Sequence, residues 1–267
     1  MQDRPKRVTT NGDSERPNVA RLFDYYLGGA HNFAIDRKLG EESSDFPAAE
    51  MVRSIRSFLR RVVKICVERG IRQFLDLGSG IPTAGNVHEI AVPLDPTCRV
   101  VYVDFDPVAV AHSRTMLRDN KSATIVEADL RDARAVVNHP ETRSLIDFNE
   151  PVAVFLIGVL PCLTGPSEPT EVIEAYRALL APGSIIAVTH LTNDVEPELI
   201  DKLIKVADMT DTPLVPRSKK DVEEAVAGLE LLDPGLVLAA HWRADGDLPS
   251  PSPAADATSY GAVGVVR

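Results

Sequence analysis

The chain has 267 residues, of which 44% are hydrophobic, and its 39 acidic and 29 basic residues give a formal net charge of −10. This length suffices for one α/β core and does not require a second one. The acidic balance argues against a protein whose main task is to grip a phosphate backbone, so no nucleic-acid partner is expected.

The three cysteines, Cys66, Cys98 and Cys162, lie far apart and form no C-x-x-C pair. This spacing matches neither a disulfide framework nor a zinc cluster. Residues 1–16 lack the apolar stretch of a signal peptide, and the longest apolar run, residues 152–160, is well short of the ~18 to 20 residues that cross a bilayer. We therefore expect a cytoplasmic protein with no membrane partner.

The N-terminal quarter divides by composition into a tail and an arm. Residues 1–16 are rich in charges and turn formers, which predicts a disordered tail. Residues 17–70 are predicted to form a helical arm that covers the site, because aromatic residues appear first and apolar residues then recur at helical spacing from Pro47 to a capping Gly70. Residues 71–267 are the predicted core.

The last helix of the arm carries a basic stripe. Arg53, Arg56, Arg60 and Lys64 recur along it at helical spacing. A stripe that binds RNA or an acidic partner is one interpretation. We favour a solvated polar face opposite the apolar one, since the whole chain is acidic.

Beyond this helix, strand patterns alternate with helix-length segments. Strands are predicted at 71–77, 100–104, 123–127, 152–158 and 184–190, and helices at 86–91, 107–118, 168–180, 196–209 and 219–229. Strands separated by crossover helices form parallel sheets. Two final strands, 236–242 and 260–266, are predicted to close the sheet as an antiparallel hairpin. The expected fold is α/β, with a doubly wound, mostly parallel sheet of seven strands.

The first two strands end in motifs typical of nucleotide pockets. Residues 73–80 read QFLDLGSG, and residues 99–107 read RVVYVDFDP. In an open parallel sheet the glycine turn brings backbone N–H groups close to a ligand, and the acid after the second strand accepts from ribose hydroxyls. We expect Asp104 to bind the ribose and Asp106 to cap the next helix. The chain is thus predicted to bind an adenosine-containing cofactor.

The glycine segment departs from the dinucleotide fingerprint. That fingerprint needs a third glycine three residues past the second and a helix that begins at once. Here Pro82 and Thr83 intrude, and the helix is delayed until about Asn86. A cofactor without a pyrophosphate is favoured, and an NAD(P)-dependent oxidoreductase remains the weaker alternative.

DLGSG, at residues 76–80, resembles motif I of the class I S-adenosylmethionine (SAM)-dependent methyltransferases. The resemblance implies a Rossmann-like methyltransferase fold and SAM as cofactor. It also implies that Asp104 binds the ribose, that Phe105 packs on the adenine, and that Asp129 or its neighbouring backbone contacts the exocyclic amine. The implied cofactor wall comprises Asp76, Gly78, Ser79, Gly80, Asp104, Phe105, Asp129, Leu130 and Gly158.

Five collinear segments narrow the resemblance: residues 24–37, 76–91, 100–114, 178–190 and 228–237. Together they are similar to an actinobacterial S-adenosyl methyltransferase family, once catalogued as a domain of unknown function, from about residue 16 to the C-terminus. Members read roughly AVLHFV after the fourth strand, where this chain has GVLPCL at residues 158–163. The resemblance implies methyl transfer to a small-molecule acceptor that is largely unassigned. Because this segment is altered, the alternative is a non-catalytic regulatory module that binds SAM or its demethylated product.

The arm and the fifth strand supply candidates for the acceptor side. Tyr25, Tyr26 and Asn32 are expected in a lid, because aromatic faces can cover an adenine or a sulfonium; an arm that merely extends the core is the alternative. His31 and His190 are candidate general bases, although each is also explained as a hydrogen-bonded structural histidine. No histidine pair or H-x-E motif indicates a metal. The oligomeric state is left open.

Overall fold

The computed structural model describes residues 16–81, 85–244 and 252–267. Eight strands are found in these residues: β1 Gln73–Leu77, β2 Arg99–Asp104, β3 Ala123–Glu127, β4 Ala153–Leu156, β5 Ile185–Leu191, β6 Glu230–Leu231, β7 Val237–Leu238 and β8 Ser259–Val265. The same residues form eleven α-helices: α1 Val19–Tyr26, α2 Ala34–Glu42, α3 Ala48–Glu68, α4 Val87–Leu94, α5 Pro107–Met116, α6 Ala133–Asn138, α7 Pro140–Leu145, α8 Glu168–Arg177, α9 Pro197–Ala207, α10 Lys219–Ala225 and α11 Pro253–Asp256.

The strands form one sheet in the order β3-β2-β1-β4-β5-β8-β6, and β7 also pairs with β8. The strands from β1 to β5 are parallel, while β8 runs antiparallel to all three of its neighbours. The predicted α/β class, the doubly wound, mostly parallel sheet and the antiparallel C-terminal hairpin are confirmed. The sheet has seven positions, and β6 and β7 share the last one, so the described strands number eight.

The predicted strand 236–242 is shortened to two residues because the chain leaves the sheet edge to bury Trp242. A single 3-10 turn at Ala239–His241 follows β7, and Trp242 is fully buried with its ring edge-to-face against Phe58, at a centroid distance of 5.6 Å. Arg61 on α3 holds this turn, donating from Nε to the Trp242 carbonyl at 2.7 Å.

Helices cover both faces of the sheet. Neighbouring residues of a strand point to opposite faces, so Phe74 packs in the cluster beneath α3, α4 and α5, while Leu75 packs in the cluster beneath α6, α8 and α10. Since α3 belongs to the first cluster, the predicted boundary at residue 70 is a change of element and not a break in packing.

The N-terminal arm folds over the carboxyl ends of the strands and is held by a buried ion pair. Arg21 Nε donates to Asp36 Oδ2 at 2.6 Å, and the two side chains are 3% and 0% exposed. The backbone N–H groups of Asn18 and Phe33 also donate to this carboxylate, at 3.0 and 2.8 Å. Arg21 Nη2 donates to the Arg16 carbonyl at 2.6 Å. The pair therefore joins the start of α1 to the start of α2 with its polar groups satisfied.

Two sequence predictions fall partly or wholly outside the described residues. Of the predicted disordered tail, residues 1–16, only Arg16 is described, and the interruption at Pro82 and Thr83 is not described. Among the residues that are described, no helix combines the length and the apolarity needed to cross a bilayer.

Replacing Arg21 by methionine should lower the free energy of unfolding by about 3–5 kcal/mol, because it leaves the Asp36 carboxylate buried without its cation. Urea denaturation of the full chain measures the loss. Lys38→Met is the matched control, since the Lys38–Glu42 pair is solvent-exposed and should contribute almost nothing. Equal stability of the Arg21→Met variant and the wild type would contradict a structural role for the buried pair.

Candidate functional site

A cavity of about 140 Å³ lies where the strand order reverses, at the carboxyl ends of β1, β2 and β4. This edge is where open α/β sheets bind ligands. We call it the switch-point cavity. Its walls come from the turn after β1, the loop after β2, the segments after β3 and β4, and two helices of the arm. The lining residues used below are Val19, Ala20, Phe23, Arg56, Asp76, Gly78, Ser79, Gly80, Asp104, Phe105, Ala128, Leu130, Gly158, Cys162 and Thr212.

The glycine turn after β1 supplies space to this cavity, not hydrogen-bond donors. Gly78 and Gly80 have φ of 65° and 63°, and a Cβ at Gly78 would collide with the side chain of Val159. The N–H groups of Gly78 and Ser79 donate to the Val103 carbonyl at 2.8 and 3.1 Å, and that of Gly80 donates to Asp104 Oδ2 at 2.7 Å. The sequence-based expectation that these N–H groups face a ligand is wrong, because the neighbouring strand takes all three.

The N-terminus of α4, the helix that follows the turn, is already capped by an acidic side chain. Glu89 Oε2 accepts from the backbone N–H groups of Gly85 and Asn86, at 2.8 and 3.0 Å, and so closes a capping box at the start of α4. A helix N-terminus attracts anions only while its N–H groups are free. The N–H groups of Gly78, Ser79, Gly80, Gly85 and Asn86 are therefore already bonded within the protein, and the Glu89 carboxylate stands where a pyrophosphate would bind the helix N-terminus.

Asp104, at the end of β2, connects the two loops that form the cavity. Its Oδ1 accepts from the Asp106 N–H at 2.9 Å, while its Oδ2 accepts from Gly80. Burial raises the pKa of this carboxyl, although the backbone donors oppose the shift. A carboxylate has about four lone-pair sites, so Asp104 can still accept from a ligand hydroxyl. Asp106 caps α5 through Val108 N–H at 2.9 Å, as predicted.

Asp76 and Arg56 bring opposite charges to the cavity wall without contacting each other. No hydrogen bond or ion pair joins either side chain to another described residue. Burial raises the pKa of Asp76 to about 7, the nearby Arg56 lowers it in part, and Asp104 raises it further. Burial also lowers the pKa of Arg56. Two partly desolvated charges on one cavity wall are suited to a ligand that carries both a cationic and an anionic group.

Of the residues predicted to contact the adenine and its amine, Phe105 and Leu130 line the switch-point cavity, and the Asp129 side chain does not. Phe105 lines the cavity with 68% of its surface exposed, which is unusual for a large apolar side chain. Ala128 and Leu130 also line it, but Asp129 between them faces outward, where Arg131 Nη2 donates to its Oδ2 at 2.5 Å. The structure thus offers the backbone beside Asp129, and not its carboxylate, to a ligand.

Gly158, after β4, lies at the junction of this cavity with a second one. Its φ is 79°, its N–H donates to Thr189 Oγ1 at 2.8 Å, and it lines both cavities.

Of the three predicted lid residues, Tyr26 lines the second cavity, and Tyr25 and Asn32 line neither of the two cavities. Tyr25 lies on the other side of α1, where its ring packs so closely on Gly40 that a Cβ there would collide with it. Asn32 is buried and donates to Asp24 Oδ2 at 2.7 Å. The arm does cover the switch-point cavity, but through Val19, Ala20 and Phe23.

Neither candidate base lines the switch-point cavity or the second cavity. The His31 ring packs edge-on against His112, at a centroid distance of 5.3 Å. His190 is buried, with Nδ1 at 2.9 Å from the Leu191 carbonyl and Nε2 at 2.9 Å from Arg217 Nη1. Burial, with Arg217 assisting, lowers the pKa of His190 to about 4. Both nitrogens of a neutral ring are therefore engaged, and the geometry gives no support to a catalytic base at either position.

Sequence reasoning missed Arg56, which was interpreted as part of a solvated stripe. Arg53 is exposed and pairs with Glu50 at 3.4 Å, whereas Arg56 lines the cavity. A signal was present: Arg56 lies four residues after Val52 and three before Leu59, both buried, and so borders the apolar face of α3. In the described part of the chain, no group of three or more His, Cys, Asp or Glu residues could hold a metal ion.

Comparisons with known proteins show which family the chain is similar to. The sequence profile of a family described as S-adenosyl methyltransferase matches residues 5–267. A Thermobifida fusca protein provisionally called a methyltransferase has 35% identity, with 94% of this chain and 96% of that chain covered and a TM-score of 0.86. A DUF574 family protein from Streptomyces avermitilis has 32% identity, with 96% and 99% covered and a TM-score of 0.86.

A more distant structure is similar in fold alone. The N-methyltransferase NodS from Bradyrhizobium japonicum, in complex with S-adenosyl-L-homocysteine (SAH), has 14% identity, with 93% of this chain and 98% of that chain covered and a TM-score of 0.52. No functionally curated protein matches the chain.

Proposed function

Because the chain belongs to the S-adenosyl methyltransferase family and has SAM as its cofactor, we propose that the switch-point cavity binds SAM and that the methyl group passes to a small-molecule acceptor. The family predicted from five sequence segments is confirmed. The observation that carries the proposal is the pair of unpartnered opposite charges, Arg56 and Asp76, beside the glycine turn.

The amino-acid end of SAM matches those two charges. An α-amino acid carries a carboxylate and an ammonium group on the same carbon atom, and the Arg56 guanidinium and the Asp76 carboxylate are the complementary groups in the wall. Ligand binding would satisfy two charges to which no other described residue forms a hydrogen bond. This reading explains why the fold tolerates them there.

The adenosine end matches the other side of the cavity. Asp104 retains acceptor capacity for ribose hydroxyls, and the exposed face of Phe105 offers a surface for the adenine ring. The backbone around Ala128 and Leu130 lies next to that surface. These residues form a cradle for a nucleoside with no phosphate, which supports SAM over NAD(P) and disfavours the oxidoreductase alternative.

The cofactor supplies an electrophilic methyl group on a sulfonium, so this chain's own contribution is positioning and exclusion of water. Val19, Ala20 and Phe23 of α1 cover the cavity from the arm, and Thr212 closes it from the segment after α9. The burial of the Cys162 thiol raises its pKa to about 12, so a thiolate nucleophile does not compete for the methyl group.

The cellular compartment and the class of substrate are part of the same proposal. The net charge of −10 disfavours a nucleic-acid substrate, and the spacing of Cys66, Cys98 and Cys162 matches no disulfide framework, so we infer a cytoplasmic enzyme that acts on a small molecule.

The test is a calorimetric titration of the full chain with SAH and, separately, with NADH. SAH should bind and NADH should not, because the N–H groups of Gly78, Ser79 and Gly80, which would face a pyrophosphate, already donate to Val103 and Asp104. Binding of NADH without binding of SAH would refute the proposal. Transfer of radiolabelled methyl groups from SAM to molecules extracted from the host would distinguish an enzyme from a regulatory module.

Asp104→Ala should weaken SAH binding by about 1–3 kcal/mol, since it removes the proposed ribose acceptor and frees the turn at Gly80. Asp129→Ala is the matched control: its carboxylate faces outward and pairs with Arg131, so SAH affinity should stay unchanged. If the two variants bound SAH equally well, Asp104 would have no place in the pocket.

Arg56→Met should weaken SAH binding by about 1.5–3 kcal/mol, because the ligand carboxylate loses a charged hydrogen-bond partner. Binding of methylthioadenosine, which lacks the amino-acid end, should be unaffected by the same change. Arg53→Met, one turn away and exposed, is the control and should leave both affinities as in the wild type. Equal losses for the two ligands would mean that Arg56 acts on the fold and not on the carboxylate.

The affinity for SAH should fall about tenfold between about pH 8 and about pH 6. The ammonium group binds the ionised form of Asp76, and this carboxyl, with a pKa raised to about 7, becomes protonated across that interval. Asp76→Asn should remove the dependence and bind weakly at both ends. An unchanged pH profile in that variant would assign the dependence to another group.

A further inference from the structure

A second cavity of about 80 Å³ lies between α1, α3, α9 and the turn that follows β4. We call it the apolar cavity. Its walls are made almost entirely of hydrocarbon, contributed by Val19, Leu22, Phe23, Ala48, Met51, Val52, Ile55, Pro161, Leu191, Leu203, Val206, Ala207 and Leu214.

The apolar cavity adjoins the switch-point cavity. Val19, Phe23, Ile55 and Gly158 line both of them. Gly158 adopts the left-handed conformation and has no side chain, and the nearest atom to a Cβ built there is Phe23 Cε1, at 3.9 Å. The boundary between the two cavities therefore runs along Gly158 and Phe23.

The charges of the site lie on one side of this junction. Arg56, Asp76, Asp104 and Asp106 line the switch-point cavity and are absent from the walls of the apolar cavity. Within its described walls, the titratable group is the Tyr26 phenol, and burial raises the pKa of that group. The polar side chains there are two hydroxyls, Thr189, which already accepts from the Gly158 N–H, and Ser259.

This wall chemistry restricts the ligand. A carboxylate, phosphate or ammonium group would lose its hydration without gaining a partner of opposite charge, whereas an aromatic or aliphatic molecule has little hydration to lose. The wall also has no group that could remove a proton from an alcohol, because the protonated Tyr26 is not a base.

We propose that the apolar cavity is the methyl-acceptor site and that the acceptor is a neutral, largely apolar molecule whose reacting atom has a free lone pair, such as a heteroaromatic nitrogen. This inference rests on the proposed function, since SAM must occupy the neighbouring cavity. It goes further by naming the class of acceptor.

The step balances without a base. The acceptor's lone pair forms the bond to the methyl carbon while the carbon–sulfur bond breaks and its electron pair returns to sulfur. The sulfonium becomes a neutral thioether, and the acceptor nitrogen takes the positive charge. No proton moves, and the product cation is poorly solvated in the apolar cavity, which favours its release.

The test measures binding of three neutral heteroaromatic probes, pyridine, quinoline and acridine, to the full chain saturated with SAH, in mildly alkaline buffer by ligand-observed NMR. Each is paired with its carboxylated analogue: nicotinate, quinoline-4-carboxylate and acridine-9-carboxylate. At least one neutral probe should bind, at least tenfold more tightly than its carboxylate.

Variants locate the bound probe. Val206→Trp fills the apolar cavity from α9 and should weaken probe binding at least tenfold, and Leu214→Trp should do the same from the next segment. Lys205→Trp, on the exposed side of α9, is the matched control and should bind as the wild type does. SAH affinity within twofold of the wild type verifies the fold of each variant.

The inference is overturned if no neutral probe binds, if a carboxylate binds as tightly as its neutral partner, or if neither tryptophan variant that folds weakens binding. Failure of the proposed function is a separate result, because SAH would then fail to bind the wild-type protein before any probe is added.

Discussion

The Asp104 carboxylate organises the site, because it joins two of the loops that line the switch-point cavity. One oxygen accepts from Gly80 in the turn after β1, and the other accepts from Asp106 at the start of α5. The Val103 carbonyl of the same strand accepts from Gly78 and Ser79. The end of β2 therefore holds the glycine turn in place on one side of the cavity, and Phe105 lines the cavity from the loop after this strand.

Two pairs of charged groups in this chain have opposite relations to their surroundings. The Arg21–Asp36 pair is saturated with hydrogen bonds and joins the arm to itself, so it serves the fold. No described residue forms a hydrogen bond or an ion pair with Asp76 or Arg56, and burial shifts the pKa of both toward the neutral form. Under the proposed function, a ligand compensates this second pair of charges.

The two cavities divide the chemistry of the site between them. The switch-point cavity contains the charged groups, and the apolar cavity contains almost none, although they share Gly158 and Phe23. The segment after β4 contributes to both, with Cys162 facing the first and Pro161 the second. The departure from the family pattern at residues 158–163 therefore lies at the boundary between the two cavities.

The sequence by itself determined what depends on neighbours in the chain. Apolar periodicity located the parallel strands, and short spacings identified the glycine turn, the acid after β2 and the Asp106 cap, because these are satisfied within a few residues. The tertiary structure alone decided which groups remain free. The N–H groups of Gly78, Ser79 and Gly80 are taken by a neighbouring strand, and His190 is fixed by Arg217, 27 positions away. Arg56 lines the switch-point cavity only because α3 packs against the sheet. Hydrogen-bond partners and burial at such distances are set by the packing of elements, which the local pattern of one sequence does not encode.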